Sequence, residues 1–135
     1  MTTAATTAVP ASKPWALWTG RVFSGLVVLA LVASASMKLR QPPEVVEGFA
    51  KSGFPASVLV PIGIAELLSA LLYAVPRTAV LGAILVTGYL GGATVTHVRQ
   101  GDSFLIPVLL GVIAWGGLFL RDARVRALLP LRGTN

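Results

Sequence analysis

Four apolar stretches, at residues 15–37, 55–75, 78–97 and 103–120, make up most of the chain and are separated by short polar or basic clusters. Each is close to the roughly 20 residues a helix needs to cross a hydrocarbon core of about 30 Å. The pattern predicts an all-α fold, an integral membrane four-helix bundle. Pro76 and Arg77 leave almost no connection between the second and third stretches, so these must form an antiparallel hairpin. Residues 41–54 interrupt the pattern and predict a short interfacial helix between spans one and two. Pro43 suits its first turn, Glu44 and Glu47 complement its positive end, Lys51 complements its negative end, and Gly53 offers a left-handed exit. Val45, Val46 and Phe49 fall on one side, which lays the segment on the membrane surface, either as a roof over the bundle or as a plain connector.

The ends differ from the spans. Residues 1–14 are rich in Thr and Ala, hold two prolines and one lysine, and have too little apolar surface to order themselves, so they are expected to be a disordered tail. Residues 15–120 form the membrane domain. Residues 121–135 form a basic, partly amphipathic tail suited to an anionic lipid surface. Trp15 and Trp18 fit the interfacial aromatic belt, with Arg21 snorkelling outward. A competing reading makes Arg21 the start of a secretory signal, residues 22–32 its apolar core and Ala33-Ser34-Ala35 its cleavage site; the long preceding tail and the apolar run continuing to Met37 weigh against it.

Composition narrows the class. Hydrophobic residues make up 55% of the 135 and charged ones only 12%, a balance that excludes a soluble domain of this size. The net charge of +6 comes from residues between and beyond the apolar runs, where they meet headgroups. No basic face with interleaved aromatics is present, so nucleic acid is not an expected partner. Seven of the eleven Lys and Arg residues (Lys13, Arg21, Arg77, Arg121, Arg124, Arg126, Arg132) fall on the side of the termini, which predicts both termini in the cytoplasm of a multi-pass inner-membrane protein. The absence of cysteine removes thiol exchange, disulfides and iron–sulfur clusters from this chain, so any redox role passes through a partner or a bound cofactor.

Glu66 is the one acidic residue inside the second stretch. An ionised carboxylate at a helix centre costs about 3 kcal/mol on the lenient insertion scales, so it is expected to be neutral, paired or facing a wet cavity. Helical spacing aligns it with Leu59, Ile62, Ser69 and Tyr73. Tyr89, Ala93 and Thr96 align on the third span with His97 nearby, and Ala30, Ser34 and Lys38 align on the first. These stripes predict a polar pocket with Glu66 at mid-depth and Lys38, His97, Arg99 and Asp102 around its outer mouth. Glu66 lies about eleven residues, roughly 16 Å, inside its span, so a salt bridge requires Lys38 to reach downward or His97 to sit a turn inside. The plainer reading is a protonated Glu66 bonded to Ser34, Tyr89 or a carbonyl, holding helices together. Gly88 and Gly92 fit a small-xxx-small packing pattern, and Pro61 predicts a kink near Glu66.

One histidine cannot make a bis-histidyl haem site, and neither a metal cluster nor a Ser/His/Asp set is present, so no metal or haem is expected. Acid/base work by Glu66 with Tyr73, Tyr89 or His97 would suit isomerisation, cyclisation or protonation of a quinone.

The segment from Ala65 to Asp102 resembles the DoxX-like family of small four-span bacterial membrane proteins. Glu66 with Tyr73, the turn Pro76-Arg77-Thr78, the run Gly88-Tyr-Leu-Gly-Gly92 leading into Thr96-His97-Val-Arg99, and Ser36-Met-Lys38-Leu39 carry the resemblance. It implies a four-helix membrane bundle over residues 15–120. It also implies association with membrane oxidoreductase assemblies and the oxidative-stress response, although the family has no generally accepted reaction. The function expected is a non-enzymatic component that binds a quinone-like or other lipophilic molecule near Glu66. Its expected partners are the bilayer, membrane or redox proteins, and a second copy of itself. Two alternatives stand beside it: a proton-coupled small-molecule transporter, and a small membrane isomerase or cyclase.

Overall fold

The computed structural model describes residues 8–130, and every regular element in it is helical. In chain order these are α1 (Pro14–Arg40), α2 (Pro43–Lys51), a single 3-10 turn (Ala56–Val58), α3 (Leu59–Ala74), α4 (Ala79–Gln100), α5 (Leu105–Arg121) and α6 (Ala123–Leu128). Residues 1–7 of the expected N-terminal tail and 131–135 of the basic tail lie outside the described residues.

Three helical segments, α1, α3 with its preceding 3-10 turn, and α4, are long and apolar enough to cross a membrane; α5 is apolar but only 17 residues long. At 1.5 Å per residue α5 measures about 25 Å, slightly less than a hydrocarbon core. Their outward faces carry many exposed Leu, Val and Ile side chains, such as Leu29, Leu68, Ile84 and Val112, which is the surface a bilayer covers and water would not. The chain is a multi-pass helical membrane protein.

The four long helices run alternately up and down. Each packs on two neighbours, in the order α1, α3, α4, α5 and back to α1. Packing is tight at the end where α1 begins and α5 ends. There a Cβ on Gly20 would lie 2.7 Å from the Gly117 carbonyl oxygen, one on Gly117 would lie 2.8 Å from Ser24 Oγ, and one on Gly82 would run into the Tyr73 backbone. The core of Val27, Ala70, Tyr73, Ala79, Ala83, Ala114, Leu118 and Val125 clusters around these contacts.

Three expectations are corrected. Pro61 is the third residue of α3, where a backbone N–H has no intrahelical partner, so it opens the helix rather than kinking it. Gly88 and Gly92 do not bring helices together within the chain, since a Cβ at either would meet nothing within 4 Å. The tail after Asp122 is not wholly given to the lipid surface: α6 buries Val125 in the core, and Arg126 Nη1 donates to the carbonyls of Phe119 (3.2 Å) and Leu120 (2.9 Å). A cation at this place satisfies orphan carbonyls at the C-terminus of α5.

α2 forms as its residues predict. Gly53 takes φ +82°, its N–H donates to the Ala50 carbonyl, and the Phe54 N–H donates to the Phe49 carbonyl, each at 2.9 Å. This is a Schellman closure, completed by the tilted ring pair Phe49–Phe54 with centroids 6.0 Å apart. α4 ends in the same way at Gly101 (φ +75°), with the Asp102 N–H donating to the His97 carbonyl at 3.0 Å.

Candidate functional site

At the opposite end, where α1 ends and α5 begins, the bundle is hollow. A cavity of about 800 Å³ lies among α1, α3, α4 and α5 beneath α2, inside the roughly 300–1,000 Å³ range of small-molecule sites. The glycines of α4 account for part of this space, because Gly88 and Gly92 line the cavity and project no side chain into it. Its walls are mainly apolar, with Leu31, Ile62, Leu90 and Leu110 along the helices and Phe49 and Phe54 under the roof.

The polar groups gather at one place. Lys38 Nζ donates to Glu66 Oε2 at 2.9 Å and to Ser34 Oγ at 2.6 Å, and lies 5.8 Å from the centroid of the Tyr89 ring. The Glu66 side chain is 1% exposed and that of Lys38 11%. The pair therefore forms the floor of the cavity rather than sitting at its mouth. It forms because Lys38, in the last turn of α1, is held close to α3: a Cβ at Gly63 would lie 3.2 Å from Lys38 Cβ and 3.3 Å from the Ala35 carbonyl oxygen. Gly63 sits three residues before Glu66 on the same helical face and lets the two backbones approach where the charges must meet. The sequence reading missed its role; the signal was a small residue one turn from a buried acid.

A buried ion pair carries a large desolvation penalty, offset here by close geometry and by Ser34. Glu66 and Ser34 accept from two of the three ammonium donors of Lys38, and no third acceptor is found among the described residues. Cation–π attraction to Tyr89 supports the same ammonium.

The expected site residues divide into groups. Ser34, Lys38, Glu66, Tyr89, Thr96 and His97 all line the cavity. The Nδ1–H of His97 donates to the Ala93 carbonyl at 2.8 Å, since a carbonyl only accepts, and Thr96 Oγ1 donates to the Gly92 carbonyl at 3.0 Å. Ser69 is buried on α3, donates to the Ala65 carbonyl at 2.6 Å and does not line the cavity. Arg99 is exposed and does not line it either. Tyr73 belongs to a separate polar knot at the closed end. Its hydroxyl donates to the Ala114 carbonyl at 2.6 Å and so accepts from Ser24 Oγ at 3.0 Å, tying α3 to α5 and α1. Arg121 Nη2 donates to the Tyr73 carbonyl at 3.1 Å, and its guanidinium lies 5.3 Å from the Tyr73 ring centroid. A stripe along one helix face spans both ends of a bundle, so sharing it placed Tyr73 with Glu66 in register but about two turns away in depth.

Neither a search of curated proteins nor one of solved structures returned a match to the chain. A family model does match, over residues 22–117, which runs from the third turn of α1 to within a turn of the end of α5 and so takes in Ser34, Lys38, Gly63, Glu66 and Tyr89. With more than half of its length matched, the chain belongs to the DoxX-like family.

Proposed function

We propose that this protein is a non-enzymatic inner-membrane component of a redox or stress-response assembly, and that its cavity binds a lipophilic small molecule of the quinone class. The observation that carries the reading is the Lys38–Glu66 pair at the floor of a largely apolar cavity of about 800 Å³. A quinone has a polar carbonyl head and an apolar body, and the third donor of Lys38 is matched to a carbonyl acceptor while the walls take the body. Four crossings with both termini cytoplasmic would place the cavity mouth, beneath α2, on the outer face.

The same pair weighs against the transporter alternative. A proton-coupled carrier needs a carboxylate that exchanges its proton for a cationic substrate, whereas the Glu66 carboxylate already holds a tethered ammonium at 2.9 Å. For the isomerase or cyclase alternative, Glu66 and Tyr89 supply an acid/base pair, but the quinone reading needs fewer groups.

Purification in native membrane patches, followed by mass spectrometry of bound small molecules, tests the proposal. Wild type is expected to retain a quinone-class molecule that the folded double variant Lys38→Met/Glu66→Gln lacks. Identical contents in both would contradict it.

A further inference from the structure

The chain has three lysines, and they stand in different surroundings: Lys13 and Lys51 are exposed, while Lys38 is buried at the floor of the cavity with a carboxylate 2.9 Å away. A primary amine in that position can do more than donate a hydrogen bond. Lysine, unlike arginine, can give up its proton when desolvated and then act as a nucleophile toward carbonyl carbon. The geometry points to Lys38 as the site of a reversible imine with a lipophilic aldehyde that enters the cavity. This inference rests on the reading that the cavity receives lipophiles, and it adds the aldehyde class to that site.

The step balances on groups that the site already holds. Lys38 passes a proton to the Glu66 carboxylate across their hydrogen bond, leaving a neutral amine and a carboxylic acid. The amine lone pair attacks the aldehyde carbon and the C–N bond forms. A proton then moves from nitrogen to the former carbonyl oxygen, giving a neutral carbinolamine. Glu66 protonates the carbinolamine hydroxyl, the C–O bond breaks with loss of water, and the nitrogen lone pair completes the C=N bond. The product is a protonated imine facing the regenerated Glu66 carboxylate. Net charge is unchanged, one water is released, and no oxidant or reductant is consumed. Glu66 therefore serves in turn as base, acid and counter-ion.

Selectivity follows from the enclosure. Leu31, Phe49, Phe54, Ile62, Leu90 and Leu110 favour an aliphatic chain over a small hydrophilic aldehyde. A Lys38 side chain only 11% exposed also limits the water that would hydrolyse the imine. Exposed Lys13 and Lys51 have neither protection and serve as internal controls.

The test uses the full chain in phosphatidylcholine nanodiscs, whose lipids carry no primary amine. Dodecanal is added, imines are reduced with cyanoborohydride, and the modified lysines are quantified by peptide mass spectrometry. Trapping is expected at Lys38 in clear excess over Lys13 and Lys51, and decylubiquinone is expected to suppress it at Lys38 alone. In Glu66→Gln the initial rate at Lys38 should fall about a hundredfold, the lower end of what a positioned acid/base group contributes. Glu66→Asp should recover part of that loss, which separates lost chemistry from lost folding. Equal trapping at all three lysines, or an unchanged rate in a folded Glu66→Gln protein, overturns the imine. If decylubiquinone binds while Lys38 stays untrapped, the imine fails and the quinone reading stands; if Lys38 is trapped but decylubiquinone neither binds nor competes, the imine stands and the quinone reading fails.

Discussion

At the scale of single residues, Lys38 and Glu66 are two charges that a membrane tolerates only together. Removing one partner of a buried ion pair leaves an uncompensated charge and typically costs about 3–5 kcal/mol, whereas replacing both with groups of similar size can be nearly neutral. Lys38→Met and Glu66→Gln are therefore each expected to lower the unfolding temperature in mild detergent, and the double variant to recover most of the loss; equal, additive losses would show that the two side chains do not depend on each other. Tyr73 gives a contrasting case. Tyr73→Phe removes the hydroxyl that joins Ser24 to the Ala114 carbonyl, and the expected cost is about 1–3 kcal/mol with ligand binding unchanged. Impaired binding in a stable Tyr73→Phe protein would return that residue to the pocket. Glu66 itself was legible in the sequence, because a lone acid in an apolar stretch stands out. Its partner was legible only as a condition, since the reach of Lys38 depends on how closely α1 and α3 approach, and Gly63 sets that approach through tertiary contact.

At the scale of elements, the small residues of the helices do two different jobs. Gly20, Gly82 and Gly117 allow close approach at the closed end, whereas Gly88 and Gly92 leave room at the open end. Spacing alone does not separate these jobs, because a small residue facing a neighbour and one facing a void give the same sequence pattern. Gly82→Ala places a Cβ against the Tyr73 backbone and is expected to cost about 1–3 kcal/mol or more in strain, seen as a lower yield of monodisperse protein. Gly92→Leu enters open space and is expected to keep the fold while narrowing the cavity, seen as weaker ligand binding at unchanged thermal stability. The opposite pattern would reverse the two assignments. α2 was the most legible element: Pro43 at its start, Gly53 at its exit and the Phe49–Phe54 contact are local chemistry that needs no knowledge of the rest of the chain. The role of α6 was not legible, because the burial of Val125 and the two carbonyl contacts of Arg126 depend on where α5 ends.

At the scale of the whole molecule, a closed end and a hollow end give the bundle a polarity across the membrane. The excess of Lys and Arg beside the closed end leads us to propose that this end faces the cytoplasm. With no native cysteine, single substitutions report this directly. Asp102→Cys is expected to react with an impermeant maleimide from the outer face of spheroplasts, and Arg77→Cys only after permeabilisation; the reverse pattern would invert the molecule. In our proposal the Lys38–Glu66 floor makes the hollow end a specific ligand site. The most direct measurement is calorimetric titration of decylubiquinone into nanodiscs holding wild type or the Lys38→Met/Glu66→Gln double variant, with empty nanodiscs as the partition baseline. Saturable binding to wild type, with the double variant indistinguishable from empty nanodiscs while equally stable, is the predicted result; a wild-type signal no greater than that of empty nanodiscs, or equal binding by both proteins, would contradict it.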